Sequence, residues 1–245
     1  MFPIRDTVES RYAPVVTWLL IAVNSVVFLF ELALDPRMLE RLFYVFGMVP
    51  ARYTHPEWAQ GLGLLASDYT PFLTSMFLHG GWAHIIGNMW TLWIFGDNVE
   101  DRLGKARFLL FYLLAGIVAG FTHWITNPES TVPAVGASGA IAGVLGAYFV
   151  LYPTSRVIIL VPVLFWPFFF ELPAVTYLFF WFVTQIFGAT LSGLSPGAVG
   201  GVAWWAHIGG FVAGVLLHRL FLSPLGRAQR RRYRDEHGFR RAWAR

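Results

Sequence analysis

Cysteine is missing from all 245 residues. That excludes disulfides, thiolate nucleophiles and thiolate metal sites. Charge is scarce as well: Asp, Glu, Lys and Arg supply 13% of the chain, about half of what a soluble domain carries. Apolar residues fill the space, at 56%. Such a chain is solvated mainly by lipid, and it offers several runs near the roughly 20 residues that a spanning helix needs. The first of these is long and lacks a small-residue cleavage site. It reads as an uncleaved span, not a signal peptide.

The net charge of +4 is unevenly spread. Arg227, Arg230, Arg231, Arg232, Arg234, Arg240, Arg241 and Arg245 crowd the C-terminal tail. This pattern fits a juxtamembrane basic tail facing anionic lipid better than a nucleic-acid surface.

Apolar runs predict six spans. They cover about Val15–Leu34, Trp82–Asp97, Ala106–Ile125, Ser138 to before Pro153, a fifth within Val157–Leu191, and Trp204–Phe221. Residues 1–14 form an N-terminal segment, 15–221 the membrane domain and 222–245 the basic tail. The fifth region is too long for one span, and Pro162, Pro167 and Pro173 interrupt it. The part before Pro173 reads as a partly buried connection, the part after it as the span. With six spans, Arg5, Arg11, Arg102, Lys105, Arg107, Arg156, Arg219 and the eight tail arginines share one side. Only Arg37, Arg41 and Arg52 lie on the other. The positive-inside rule then places both termini in the cytoplasm. Spans two, four and six must begin on the outer side.

Polar residues within spans are costly and tend to mark function. Here they gather near the starts of those three helices. His84 and Asn88 are four apart on one face. Ser138 opens the fourth span within Gly136-Ala137-Ser138-Gly139, and His207 lies in the first turns of the sixth. Gly139 and Gly143 on one helix, with Ala206, Gly210 and Gly214 on the other, allow close backbone approach. Gly210 and Gly214 are three and seven residues beyond His207, close to its face. Close packing would bring His207 to Ser138, whose hydroxyl is a poor nucleophile until a base takes its proton. No acidic residue is placed as a third member, with Glu171 a distant candidate, so the pattern suggests a dyad. His84, Asn88 and the Ser138 backbone N–H are candidate donors to a developing oxyanion. Glycines on both sides of Ser138 admit a substrate backbone.

Each feature also has a plainer reading. Small residues pack membrane helices, and a lone Asn is often interhelical glue. Two histidines can be core partners or a metal pair. His79 and His84, however, are five apart, and no Cys or obvious carboxylate completes a site. Tyr148 and the phenylalanines of the fifth span read as packing.

Four segments together are specific. His79 through Asn88, within Phe77-Leu78-His79-Gly80-Gly81-Trp82-Ala83-His84-Ile85-Ile86-Gly87-Asn88, contains His-x-x-x-Asn. Val99-Glu100-Asp101-Arg102-Leu103-Gly104 follows it. Gly136-Ala137-Ser138-Gly139-Ala140 and Ala206-His207-Ile208-Gly209-Gly210-Phe211-Val212-Ala213-Gly214 complete the set. In order and spacing, from about Val15 to Phe221, the chain resembles the rhomboid intramembrane serine proteases of the basic six-span bacterial kind. The resemblance implies an all-α membrane protein, a six-transmembrane-helix bundle with a partly membrane-embedded first loop at Asp35–Pro71. It implies residence in a bacterial inner membrane and transmembrane proteins as substrates, cut near the outer end of a span after a small residue. Ser138 would attack and His207 would shuttle the proton. His84, Asn88 and the Ser138 N–H would hold the oxyanion, with His79, Gly136, Ala137 and Gly139 in support. No cofactor, metal, nucleic acid or obligate partner is implied. Two positions depart from the family: Thr70-Pro71 stands where many members carry Trp-Arg, and Ala142 where some carry a Tyr stacked on the histidine.

Two rivals remain. A catalytically silent relative that escorts membrane clients would usually lack Ser138 or His207. A small transporter would show an inverted repeat and polar groups at mid-depth.

Overall fold

The computed structural model describes residues 2–163, 166–194, 202–224 and 226–228. The last tail arginines, from Arg230 onward, and the proposed role of that tail lie outside the described residues.

Strand β1 (Phe2–Asp6) precedes helix α1 (Val15–Leu32). Four short helices follow: α2 (Pro36–Phe46), α3 (Ala51–Thr54), α4 (Pro56–Gly61) and α5 (Pro71–Thr74), with a 3-10 turn at Ser75–Phe77. Then come α6 (Trp82–Leu103), α7 (Lys105–Thr126) and α8 (Ser138–Leu151). A hairpin of β2 (Arg156–Val163) and β3 (Trp166–Pro173) leads into α9 (Ala174–Leu194), and α10 (Trp204–Phe221) ends the bundle.

The chain is a mostly helical membrane protein. Val15–Leu32, Lys105–Thr126 and Ala174–Ser192 are long and apolar enough to cross a bilayer, and α8 is a shorter apolar helix. Leu29, Phe30, Ile86, Trp93, Leu110, Ile125, Phe187 and Leu216 all turn apolar side chains outward, as a lipid-facing surface would.

Two expectations need correction. The architecture is not all-α, because β1 pairs antiparallel with β2 and β2 with β3 in one small sheet. The stretch before Pro173 is the hairpin of that sheet. Its prolines stop a helix, and Val157 and Ile159 alternate into the core. Helix α6 runs six residues past Asp97 because its last two turns bury Asn98, Glu100 and Arg102 against protein rather than lipid.

Helix α8 is the centre of the bundle. Gly139 to Tyr148 is buried without a break. Its 14 residues give a length of about 21 Å, against about 33 Å for α7. It is therefore about two turns shorter than α7. The segment before it is tied to the first loop: Gly136 N–H donates to the Ser75 carbonyl at 2.8 Å, and Met48 pairs with Ala134 as an isolated bridge. Arg52, 2% exposed, secures the first loop with bonds to the Val45 and Leu65 carbonyls and to Asp68.

Candidate active site

Glycines decide how closely the central helices meet. A Cβ on Gly210 would lie 2.0 Å from the Gly139 carbonyl oxygen, and one on Gly214 1.9 Å from that of Gly143. No real side-chain carbon fits there, so α8 and α10 touch through backbone. A Cβ on Gly139 or Gly143 would collide with Ala119 or Ala115 of α7. The three helices thus form one tight sheaf around Ser138.

That contact brings the serine and the histidine together. The Ser138 hydroxyl oxygen stands 2.7 Å from His207 Nε2. Ser138 is the first residue of α8 and Ala137 its cap, so the serine N–H has no acceptor within the helix. Residue 142 is a fully buried alanine at the α8–α10 crossing, 3.3 Å from where a Gly210 Cβ would be. A tyrosine has no room there. The imidazole is instead flanked by Trp181, with ring centroids 6.1 Å apart, and by the edge-on Trp204 at 6.4 Å.

His84 and Asn88 reach the same place from α6. A Cβ on Gly136 would stand 2.6 Å from His84 Nε2 and 3.5 Å from Asn88 Nδ2. Gly136 has φ of +125°, a region that residues with a side chain rarely adopt. Both requirements fix glycine at this position. The Gly80 N–H points to His84 Nδ1 at 3.4 Å. That nitrogen is therefore the acceptor, which leaves the proton on Nε2, facing the Gly136 segment. Asn88 Nδ2 donates to His79 Nε2 at 3.0 Å. Burial, with the neighbouring His84, holds His79 down at about 4, so its ring is neutral and Nε2 is free to accept. The backbone N–H of His79 is received by the Glu31 carboxylate of α1 at 3.1 Å. His79 thus stands behind Asn88 rather than beside the serine. Among the described residues no three His, Asp or Glu converge as a metal site would require.

A small cavity opens beside the serine. Its walls are mostly small: Gly116, Ala119, Gly120, Gly139, Ala203 and Ala206, with His123 and Met76 among them.

The structure adds residues that sequence reasoning missed. Glu171 is not near the histidine; it lies on β3, 3.4 Å from Arg156. The second imidazole nitrogen, Nδ1, instead meets Gln185 Oε1 of α9 at 2.8 Å. Gln185 is 5% exposed. It is a polar residue inside an apolar run, and that alone could have flagged it. Glu31 could have been flagged in the same way, at the end of the first run. Tyr148 is more than packing, since its hydroxyl meets Asp6 and Ser155.

The Rhomboid domain family matches residues 66–224. YdcA of Bacillus subtilis is 33% identical over 114 residues, 45% of this chain and 57% of that protein. The rhomboid protease GluP of the same organism is 40% identical over 89 residues, 36% of this chain and 17% of its own length. The mitochondrial presenilin-associated rhomboid-like protein of Mus musculus is 36% identical over 97 residues, 38% of this chain and 26% of its own. The chain thus spans less than two thirds of each of these relatives.

Proposed function

Since the chain belongs to the rhomboid family, we propose that it is an intramembrane serine endopeptidase with Ser138 as nucleophile and His207 as general base. One observation carries this reading: the 2.7 Å contact between Ser138 Oγ and His207 Nε2 at the start of α8. The hydroxyl proton passes to Nε2 as the oxygen bonds to a substrate carbonyl. The oxyanion then accepts from the Ser138 N–H, the His84 Nε2–H and the second amide proton of Asn88. Donors set in advance where charge develops are worth about 3–4 kcal/mol each. His207 next gives its proton to the departing amine, and water releases the acyl group by the same steps in reverse. The dyad uses no cofactor.

The substrates are membrane proteins. The small-walled cavity beside Ser138 suits a small side chain before the cleaved bond. In this reading α1, α6, α7, α8, α9 and α10 are the six spans, with both termini in the cytoplasm as the Lys and Arg distribution requires. The active site then lies under the outer leaflet, and the membrane domain covers 15–221. A silent relative that only binds clients would have no use for a serine and an imidazole sharing a proton. Ser138→Ala should reduce cleavage of a model transmembrane substrate in vesicles by about 10⁴-fold or more, and His207→Ala should do the same. Cleavage by either variant near the wild-type rate would end the assignment.

A further inference from the structure

We infer that Gln185 is a positioning residue for this dyad, holding His207 in the tautomer whose bare Nε2 faces Ser138. The hydrogen bond stands on geometry; its consequence for rate rests on the protease reading above.

A glutamine amide has two distinguishable ends, and its surroundings fix which faces the histidine. Gln185 Nε2 lies 3.0 Å from the Trp181 carbonyl oxygen and 2.9 Å from Thr184 Oγ1. The Thr184 hydroxyl in turn donates to that same carbonyl at 2.6 Å. If the amide were turned over, its oxygen would face a carbonyl oxygen with no proton between them. Oε1 therefore faces His207 Nδ1, at 2.8 Å. An oxygen there requires Nδ1 to carry the proton. A neutral imidazole has one such proton, so Nε2 is left as the acceptor toward Ser138. In the opposite tautomer an Nε2–H would face the hydroxyl, and no base would be present.

The residue type also suits its place. Helix α9 holds no Asp, Glu, Lys or Arg along Ala174–Leu194. A carboxylate in such a helix would bring a costly charge into lipid. An amide gives the same acceptor without it. Gln185 orients the ring while adding no full charge to stabilise the imidazolium. Trp181 contributes at both levels, through its carbonyl to Gln185 and through its ring against His207. The imidazole is thus held from α9 rather than from position 142, which is occupied by the buried Ala142.

The test compares the full chain in bilayers with Gln185→Met, which keeps length but loses the acceptor, and Gln185→Glu, which keeps an acceptor oxygen. Nitrogen NMR of 15N-histidine-labelled wild-type protein should show His207 protonated on Nδ1. Gln185→Met should lower kcat about 10- to 100-fold with KM within twofold, less than the roughly 10⁴-fold lost when a charged partner is removed from a triad. Gln185→Glu should recover most of that rate. A wild-type His207 protonated on Nε2 overturns the inference, and so does a Gln185→Met protein with unchanged kcat. If the wild-type chain cleaves nothing, the protease reading falls. The tautomer is still read from the wild-type spectrum, so the two failures are distinct.

Discussion

At the start of α6, His84 and Asn88 face small residues and the segment leading to Ser138; at its end, Asn98, Glu100 and Arg102 face partners from four other segments. Both ends bury polar groups, but they use them differently. The C-terminal end commits most of its groups to fixed partners. Glu100 receives the backbone N–H groups of Val16 and Thr17 at 3.0 and 2.8 Å and the Thr17 hydroxyl at 2.9 Å, and so caps α1. Asn98 donates to Asp6 at 2.9 Å. Tyr152 donates to the Asn98 carbonyl at 3.0 Å and receives Arg102 Nε at 2.7 Å. Buried groups paired in this way rigidify a fold. The N-terminal end keeps capacity in reserve: a serine N–H at a helix start, a proton on His84 Nε2 and a second amide proton on Asn88. Beside Ser138 the cavity walls are mostly glycine and alanine. Spare donors beside small walls suit a group that arrives during reaction, whereas fixed partners suit a scaffold.

Substitutions at the two ends should therefore separate activity from stability. The largest effect on rate after loss of the dyad belongs to Asn88. Asn88→Ala should cut kcat about 10²- to 10³-fold and lower the thermal midpoint only modestly, through the bond lost to His79. A midpoint that collapses with the rate would place Asn88 with the scaffold. Next in size, Glu100→Ala strands three buried donors at the start of α1 and should cost about 3 kcal/mol of stability. The folded fraction should still cleave at the wild-type kcat. A rate loss in fully folded protein would couple the two ends.

The smallest effect is one of pH. Burial pushes the Asp6 carboxyl up to about 7 from its ordinary 3.8; Tyr148 opposes this and Asp97 adds to it. A raised carboxyl pKa favours the protonated folded state. Its stabilising contribution is full below about 4 and is lost as pH rises through 7. Wild-type protein should thus melt higher at pH 5 than at pH 8, by about 2–5 °C, and Asp6→Asn should reduce that difference. A pH dependence unchanged in Asp6→Asn would remove Asp6 as its source.

The two ends also differed in how far they could be read from sequence. The helices around the site are apolar runs interrupted by His, Asn and Ser, and the glycines of α8 and α10 mark the contact that joins Ser138 to His207. Those cues are local. The opposite end has few. Strand β1 is five residues long, and its partners at 157–160 lie some 150 positions away. The register between them leaves no trace in either segment. Tyr148 looks like packing until Asp6 and Ser155 are brought to its hydroxyl. Gln185 stands between the two cases. It is visible as the one amide side chain in an uncharged, mostly apolar helix, but nothing local says which neighbour it serves.

Fluorophosphonate labelling followed by mass-spectrometric mapping tests the central claim most directly, because it reads the nucleophile without needing a natural substrate. The account predicts a single adduct on Ser138 in the wild-type chain and none in His207→Ala under the same conditions. An adduct elsewhere, or equal labelling of Ser138 without His207, would contradict it.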